Sequence, residues 1–425
     1  MARSCTPAPG AKRRTVGIAV LLVSTYLVMA ANGGLFLLVV SLKQIAGDFD
    51  WPRTVPSLAY AFFFAGTGIG GIAMGWWFDR SGAGPVTLLG LTMIGTGALL
   101  AASIDSRWQL YLVYGVMIGL LGYASIYGPL SINVMRWFEH RRGFAVGLVT
   151  AGEGIGGTIW PPIFRHLNET VGWRDTFLWF GVFILVTALP LSVVLWRRMP
   201  ARDAGSGDQG GRIVDPHAEA PTIRKRALSA FAAQTAICLA IVGCCVAMAM
   251  PVAHLVAHGS DLGHATARAA EMLAVALFTS TVIRLVGGPH LVDRSGGLVA
   301  LLVFSALQTT AMLFYAVVDG MLALYTVSAL FGIGYGGISI CYPVLVREHL
   351  PPAEAGRRLG VILLFGTLGM ALGGWLAGYI FDSTGSYTPA FLVGAAFNVA
   401  NLIIVLGLIN RTRAGGGAPM RPAPA

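Results

Sequence analysis

Charged residues are scarce in this sequence. Only 11% of its 425 residues are Asp, Glu, Lys or Arg, whereas a soluble globular domain carries roughly a quarter of such residues. Hydrophobic residues make up 56% of the chain. This composition excludes a large soluble domain and indicates a protein that lies within a lipid bilayer.

Cysteines are few, and nucleotide-binding motifs are missing. The cysteines show no metal-ligand spacing and lie mostly in apolar stretches, so we expect small core residues and no metal site. No GxxxxGK[ST] loop occurs, which argues against an ATP-driven pump, and we find no catalytic cluster. We therefore expect neither an enzyme nor a cofactor. The five cysteines are Cys5, Cys238, Cys244, Cys245 and Cys341.

Long apolar stretches recur along the whole chain. A helix of about 20 apolar residues crosses a hydrocarbon core of ~30 Å, so we predict an all-α membrane protein with twelve transmembrane helices. The predicted spans are 16–41, 58–77, 86–103, 109–135, 144–164, 176–195, 230–253, 271–291, 298–317, 321–346, 361–381 and 390–408.

The excess of basic residues follows the predicted topology. Lys and Arg number 29 against 19 Asp and Glu, and most lie on one side when both termini are placed in the cytoplasm, as the positive-inside rule describes. We therefore expect a multi-pass inner-membrane protein and no nucleic-acid partner. The first apolar run resembles a cleaved signal but is longer than the usual 7–15 residues or so, which favours a retained helix.

The spans fall into two groups of six. Residues 196–229 are polar and rich in Gly and Pro, and they predict a cytoplasmic linker between halves 1–195 and 230–425. The phrase DRSG occurs after the second span and again 214 positions later, after the eighth. The pattern GxxSIxxP of the fourth span also returns 214 positions later, in the tenth span. We infer an internal duplication.

Several motifs resemble the major facilitator superfamily, and within it the bacterial monocarboxylate-porter and oxalate/formate branch. The stretches are GWWFDRSGAG after the second span, GGPHLVDRSGG after the eighth, DFDWPRTVPSLAYAF, RRGFAVGL and VGWRDTF. The resemblance implies two six-helix halves, a substrate site between them at mid-depth, and alternating access.

The two DRSG segments predict a conformational latch. The glycines permit a tight reversal with positive φ, and the aspartates and arginines can cap or bridge neighbouring helices. The alternative is an ordinary loop with solvated ion pairs. The latch residues are Asp79, Arg80 and Gly82 in the first half, and Asp293, Arg294 and Gly296 in the second.

Arg284 is the one basic residue deep within a predicted span. It precedes Asp293 by nine positions, or about 13 Å at 1.5 Å per residue, which places it near the midplane. A guanidinium there is unfavourable and normally faces a cavity or a partner. The resemblance implies that it binds the carboxylate of a substrate, with a structural ion pair as the alternative.

Glu153 is the matching acidic residue in the fifth span, which the resemblance places beside the eighth. It could carry the coupled proton, with desolvation favouring its protonated form. It could instead be the permanent counter-ion of Arg284, or a buried glutamate with no part in transport. The sequence leaves these readings open.

The sequence departs from the animal monocarboxylate porters at two positions. Ser280 stands where they have an acidic residue one turn before the arginine, and Phe36 stands where their first helix has a lysine. A site with two cationic clamps for a dicarboxylate is therefore disfavoured.

If the fold holds, helices 1, 4, 7 and 10 line the cavity. Tyrosines in a helix bundle more often pack in the interior than bind a substrate, so interior packing is the alternative role of the tyrosines expected on the wall. The histidines at 254, 258 and 264 lie around the loop after the seventh span; such a cluster can sense pH or bind a metal, but their irregular spacing favours solvation. The expected wall residues are Tyr26, Asn32, Tyr123, Tyr127, Tyr335 and Tyr342.

These features predict a secondary transporter that moves a small organic monocarboxylate together with a proton. We expect a monomer that contacts membrane lipids. One alternative is proton-driven efflux of a drug or amphipathic metabolite, in which Arg284 is purely structural. A membrane sensor is a second alternative, but it would be expected to carry a signalling domain, and we find none.

Overall fold

The computed structural model describes residues 9–138, 142–196, 230–350 and 354–414, and the features below concern this part of the chain. Eleven of its helices are long and apolar enough to cross a membrane. A further helix of 29 residues, Arg142–Thr170, lies at the predicted fifth span. The linker predicted at 196–229 lies outside the described residues except for Trp196.

These helices are numbered in chain order. They are α1 Pro9–Asp48, α2 Thr54–Ser81, α3 Ala83–Ala101, α4 Arg107–Met135, α5 Arg142–Thr170, α6 Trp173–Trp196, α7 Ala230–Asp261, α8 Thr266–Gly287 with its continuation Gly288–Ser295, α9 Gly297–Tyr315, α10 Met321–His349, α11 Ala355–Thr384 and α12 Thr388–Ala414.

The helices pack as two groups of six. Within the halves, α1 packs on α5 and α7 packs on α11. The main contacts between the halves are those of α2 with α11 and of α5 with α8, and α1 also contacts α7. The predicted all-α architecture of two six-helix halves is confirmed.

Three of the described helices change their winding, and one of them is α6, which is π-helical at Ile184–Ala188. In α4 a π-helical stretch, Val113–Gly122, leads into a single 3₁₀ turn at Tyr123–Ser125. The turn lies four to six residues before Pro129, whose ring cannot continue the hydrogen-bond ladder. In α8 the stretch Ile283–Gly287 is also π-helical and carries Arg284; such bulges are frequent at functional sites.

The bundle has two ends, which we name by their loops. Residues 79–82 and 293–296 lie at the DRSG end, where both glycines have positive φ, 82° at Gly82 and 79° at Gly296. The opposite end holds the last residues of α1, α7 and α11 and the first residues of α2.

Glycines set the distance between α2 and α4. A methyl group on Gly66 would overlap the backbone oxygen of Gly115, and one on Gly70 would overlap that of Leu120. Gly71 and Gly75 have nothing within 4 Å of such a methyl group. The first pair therefore permits close helix packing, and the second does not face a neighbouring helix.

Alanine substitutions should separate these two glycine pairs. We expect Gly66→Ala and Gly70→Ala to destabilise the protein by about 1–3 kcal/mol, because the added carbon meets rigid backbone. Gly71→Ala and Gly75→Ala are the matched controls and should leave stability unchanged or slightly raised. Apparent Tm values in one detergent measure the difference. Equal values for the two pairs would contradict the described α2–α4 contact.

Candidate functional site

A cavity of about 180 Å³ lies between the two halves. Residues of α1, α4, α7 and α10 line it, as the resemblance implies, and residues of α2, α5, α8 and α11 complete the wall. The polar wall residues are Asn32, Tyr127, Glu153, Arg284, Tyr335 and Ser339.

Arg284 and Glu153 meet inside this wall. Nη1 of Arg284 donates to Oε2 of Glu153 at 3.0 Å, and the two side chains are 10% and 27% exposed. Glu153 belongs to α5 of the first half and Arg284 to α8 of the second. The ion pair therefore bridges the two halves at the cavity.

Glycines of α5 allow this close approach. A side chain at Gly154 would overlap Thr281 of α8, and one at Gly157 would approach Leu277. Because α5 presents backbone to α8 here, the Glu153 carboxylate can reach the guanidinium from the neighbouring helix. The sequence TAGEGIGG thus places an acidic residue within a surface of small residues.

The guanidinium keeps unused hydrogen-bonding capacity. Arginine has five N–H donors in a planar fork, and Nε of Arg284 is buried without a hydrogen-bond partner in the described residues. The guanidinium carbon lies 5.1 Å from the ring centre of Tyr335, within cation–π range. Such a fork can bind a second carboxylate beside Glu153.

Asn32 holds the α5 backbone next to the ion pair. Its Nδ2 donates to the backbone oxygen of Glu153 at 2.7 Å. Gly152 and Gly156 of α5 pack on the backbone of α1 on either side of this contact. The structure places Asn32 on the cavity wall, as expected, and gives it a role in positioning Glu153.

The expected tyrosines divide into two groups. Tyr127 and Tyr335 are wall residues, whereas Tyr123 is buried and stacks on Tyr127 with ring centroids 6.0 Å apart. Like Tyr123, Tyr26 and Tyr342 are not among the wall residues of this cavity in the described chain, which corrects the expectation for all three. The hydroxyls of Tyr26 and Tyr342 contact Thr187 at 2.9 Å and Sγ of Cys244 at 3.0 Å, respectively.

Much of the wall is apolar and was not predicted from the sequence. Phe36, Phe64, Met248 and Met370 line the cavity, together with Cys245. Of these residues, only Phe36 was singled out by the sequence, because it occupies the position at which the resembled animal porters carry a lysine. The resemblance located a wall position there, and this chain fills it with an apolar ring.

The residues of the predicted latch lie at the DRSG end, one set at the end of α2 and the other at the end of the continuation of α8. Arg80 stacks on Trp76 of its own helix, with 3.5 Å between the guanidinium carbon and the ring centre, and Asp79 lies in the last turn of α2. Asp293 and Arg294 are exposed. The start of α9 is capped by Glu348, whose oxygens accept from the Gly297 N–H at 3.2 and 3.1 Å.

Two histidines differ from the expectation of solvation. His254 and His258 are 0% and 5% exposed within α7, because the helix extends to Asp261, well beyond the predicted end of the seventh span. His264 lies in the following loop and contacts the backbone oxygen of Asp319 at 2.7 Å. The solvation predicted for the first two is therefore wrong.

Comparison with known proteins agrees with the fold. The sequence pattern of the Major Facilitator Superfamily matches residues 22–371 and also residues 235–423. Monocarboxylate transporter 13 of Rattus norvegicus is 28% identical over 336 residues, covering 77% of this chain and 74% of the relative. Monocarboxylate transporter 11 of Mus musculus is 29% identical over 386 residues, covering 86% of this chain and 80% of the relative.

Solved structures show the same fold at low sequence identity. A POT family transporter in complex with 5-aminolevulinic acid superimposes with a TM-score of 0.73 at 13% identity, covering 95% of this chain and 97% of that one. The nucleoside transporter NupG superimposes with a TM-score of 0.69 at 14% sequence identity, covering 93% of this chain and 99% of that one. The chain therefore belongs to the Major Facilitator Superfamily and is a multi-pass membrane transporter similar to the monocarboxylate transporters.

Proposed function

We propose that this protein carries a small organic monocarboxylate across the membrane by alternating access, together with a proton. Arg284 binds the carboxylate of the substrate, and Glu153 accepts the proton. The observation that carries the proposal is the ion pair between these residues, which joins the two halves beside a cavity.

Charge balance supports the coupling to a proton. The described cavity wall holds one cation, Arg284, and one carboxylate, Glu153. A bound monocarboxylate adds a second negative charge a few ångströms from the first, and two carboxylates in one site favour protonation of one of them. A proton on Glu153 frees Arg284 for the substrate and restores neutrality in the low-dielectric interior.

The wall also supports a substrate with one acid group. Arg284 is the single cationic wall residue in the described chain, and Phe36 fills the place of a second clamp. The remaining wall, including Phe64, Met248 and Met370, suits the apolar part of a small acid. The names of the relatives, monocarboxylate transporters 13 and 11, agree with this substrate class.

The orientation and the latch belong to the same proposal. The positive-inside bias supports a cytoplasmic DRSG end in an inner membrane, with both termini inside. We further propose that the two DRSG segments tune the equilibrium between the inward-facing and outward-facing states. The positive φ values of Gly82 and Gly296 support the tight turns on which such a latch depends.

The buried ion pair should show strong energetic coupling. In a double-mutant cycle with Arg284→Gln and Glu153→Gln, we expect a coupling of about 1–3 kcal/mol, because each single variant leaves a buried partner without its counterpart. Unfolding at increasing mole fractions of SDS in mixed micelles measures it. The exposed pair Arg165–Glu169 on α5 is the matched control and should couple by about 0–1 kcal/mol. Equal coupling for both pairs would contradict the buried contact.

Transport assays test the roles of the two residues. In proteoliposomes with labelled monocarboxylates, we expect Arg284→Gln to lower uptake by about 10- to 100-fold, the value of a charge-assisted hydrogen bond. Glu153→Gln should abolish accumulation driven by a pH gradient and retain exchange of labelled for unlabelled substrate, because exchange needs no net proton movement.

The controls use residues on the same helices. Arg268 on α8 pairs with Glu271 outside the cavity, and Arg268→Gln should leave uptake unchanged, as should Glu169→Gln on α5. Unchanged carboxylate uptake in inserted Arg284→Gln protein would overturn the substrate assignment. Accumulation by Glu153→Gln under a pH gradient would overturn the proton assignment.

A further inference from the structure

A second group of charged residues joins the halves at the opposite end of the bundle, away from the cavity. Asp261 at the end of α7 accepts from Nζ of Lys43 at 2.8 Å. It also pairs with both terminal nitrogens of the Arg53 guanidinium, Nη2 at 2.9 Å and Nη1. Lys43 and Arg53 belong to the first half, and Asp261 belongs to the second.

Asp382 at the end of α11 makes the complementary contact. It accepts from the backbone N–H of Arg53 at 2.9 Å and from that of Thr54 at 2.7 Å, and also contacts the Thr54 hydroxyl. These are unpaired donors at the first turn of α2, which a carboxylate stabilises. The N-terminus of a helix in the first half is thus capped by the second half.

The guanidinium of Arg53 is held further by aromatic rings. It lies 3.7 Å from the ring centre of Phe381, and Nη1 donates to the hydroxyl of Tyr387 at 3.0 Å. The Arg53 side chain is only 13% exposed. We call Lys43, Arg53, Asp261 and Asp382 the gate cluster; it contains two cations and two carboxylates.

His254 lies beneath the gate cluster and is connected to it. Its Nδ1 is 3.0 Å from the Tyr387 hydroxyl, and its Nε2 is 2.8 Å from the backbone oxygen of Gly374. A carbonyl only accepts, so Nε2 carries a proton. Arg53 then donates to the Tyr387 hydroxyl, this hydroxyl donates to Nδ1 of His254, and Nε2 of His254 donates to the Gly374 oxygen. Because Nδ1 accepts a hydrogen bond, it carries no proton, and the imidazole is neutral.

We propose that the gate cluster holds the two halves together at the opposite end of the bundle when that end is closed, and that the closed state requires an uncharged His254. Alternating access requires the halves to separate at one end while they meet at the other. Every contact of the gate cluster named above joins one half to the other, so opening this end breaks all of them together. The proposal depends on the fold and not on the identity of the cargo.

Protonation of His254 opposes closure for two reasons. A proton on Nδ1 turns this acceptor into a donor, so Tyr387 can no longer donate to it. It also adds a positive charge to a neutral gate cluster, close to Arg53. Acid at this end therefore favours the open gate. The charged and titratable groups near His254 are Arg53, Asp382, Tyr387 and His258. Tyr60 lies beside Gly374, to which His254 donates, and Asp261 and Lys43 join the group through Arg53.

Distance measurements between spin labels test the gate without a substrate. Gly47 on α1 and Gly320 before α10 lie at this end in different halves, and no atom of the described residues lies within 4 Å of a Cβ added at either position. Cysteines introduced at both positions carry the labels, and protein without them gives the background from native cysteines. Double electron–electron resonance then reports the ratio of open to closed gate.

We expect Asp261→Asn to raise the ratio of open to closed gate about fivefold or more, since it weakens the pairs with both Lys43 and Arg53. Glu169→Gln is the control, because it breaks an exposed ion pair within α5 alone. If the distance distribution of Asp261→Asn is unchanged from the wild type, or if Glu169→Gln shifts it by the same amount, the proposed gate is overturned.

The same labels test the role of His254. Lowering the pH from about 7.5 to about 5.5, the range in which histidine titrates, should raise the open population of the wild type and leave that of His254→Gln unchanged. An acid response that persists in His254→Gln would overturn the histidine assignment. If His254→Gln does not fold, Tyr387→Phe serves instead and should open the gate at neutral pH, because it removes the hydroxyl between Arg53 and His254; an unchanged ratio would contradict the proposal.

Discussion

The structure depends on a guanidinium that lies inside the helix bundle, between its two halves. Arg284 cannot remain there without a counter-charge, and the Glu153 carboxylate supplies it from the other half of the molecule. This constraint accounts for the glycines of α5, which bring α5 and α8 close enough for contact. It also accounts for the position of the cavity, because both residues of the ion pair line it.

An ion pair between two moving halves is well suited to coupling. In the mechanism we propose, Glu153 and a substrate carboxylate compete for one guanidinium, and a proton decides which of them binds it. Asn32 holds the backbone at Glu153 through a hydrogen bond, so in that mechanism charge, and not movement of the helix, decides the competition. At the opposite end, the gate cluster joins the same halves through contacts of Asp261 and Asp382.

The sequence predicted the features that depend on composition and spacing. Long apolar runs gave the helices, and the repeated DRSG phrase gave the two halves. Arg284 and Glu153 stood out because charges are rare in such helices, and their meeting was one of the readings left open. The tyrosines were harder, because transmembrane helices are apolar on every side and periodicity does not show which face borders a cavity. Tyr26, Tyr123 and Tyr342 were therefore assigned to the wall, where the structure does not place them.

The remaining features depend on tertiary contacts that no local pattern encodes. Asp382 caps a helix more than 300 positions earlier in the chain, and Arg53 and Asp261 read as ordinary loop charges. His254 was expected in solvent because the end of α7 was placed too early, and the helix carries it into the core. The residues of the gate cluster lie at or near helix ends, where a sequence alone cannot distinguish a contact between the halves from a solvated loop.

Proton uptake on substrate binding tests the central claim most directly. Isothermal titration of a monocarboxylate into purified protein, repeated in two buffers with different heats of ionisation, gives the number of protons taken up per bound molecule. We expect close to one for the wild type and close to none for Glu153→Gln, since Glu153 is the group that leaves Arg284 as the carboxylate arrives. Binding of the carboxylate without proton uptake by the wild type, or equal uptake by both proteins, would contradict the exchange of partners at Arg284.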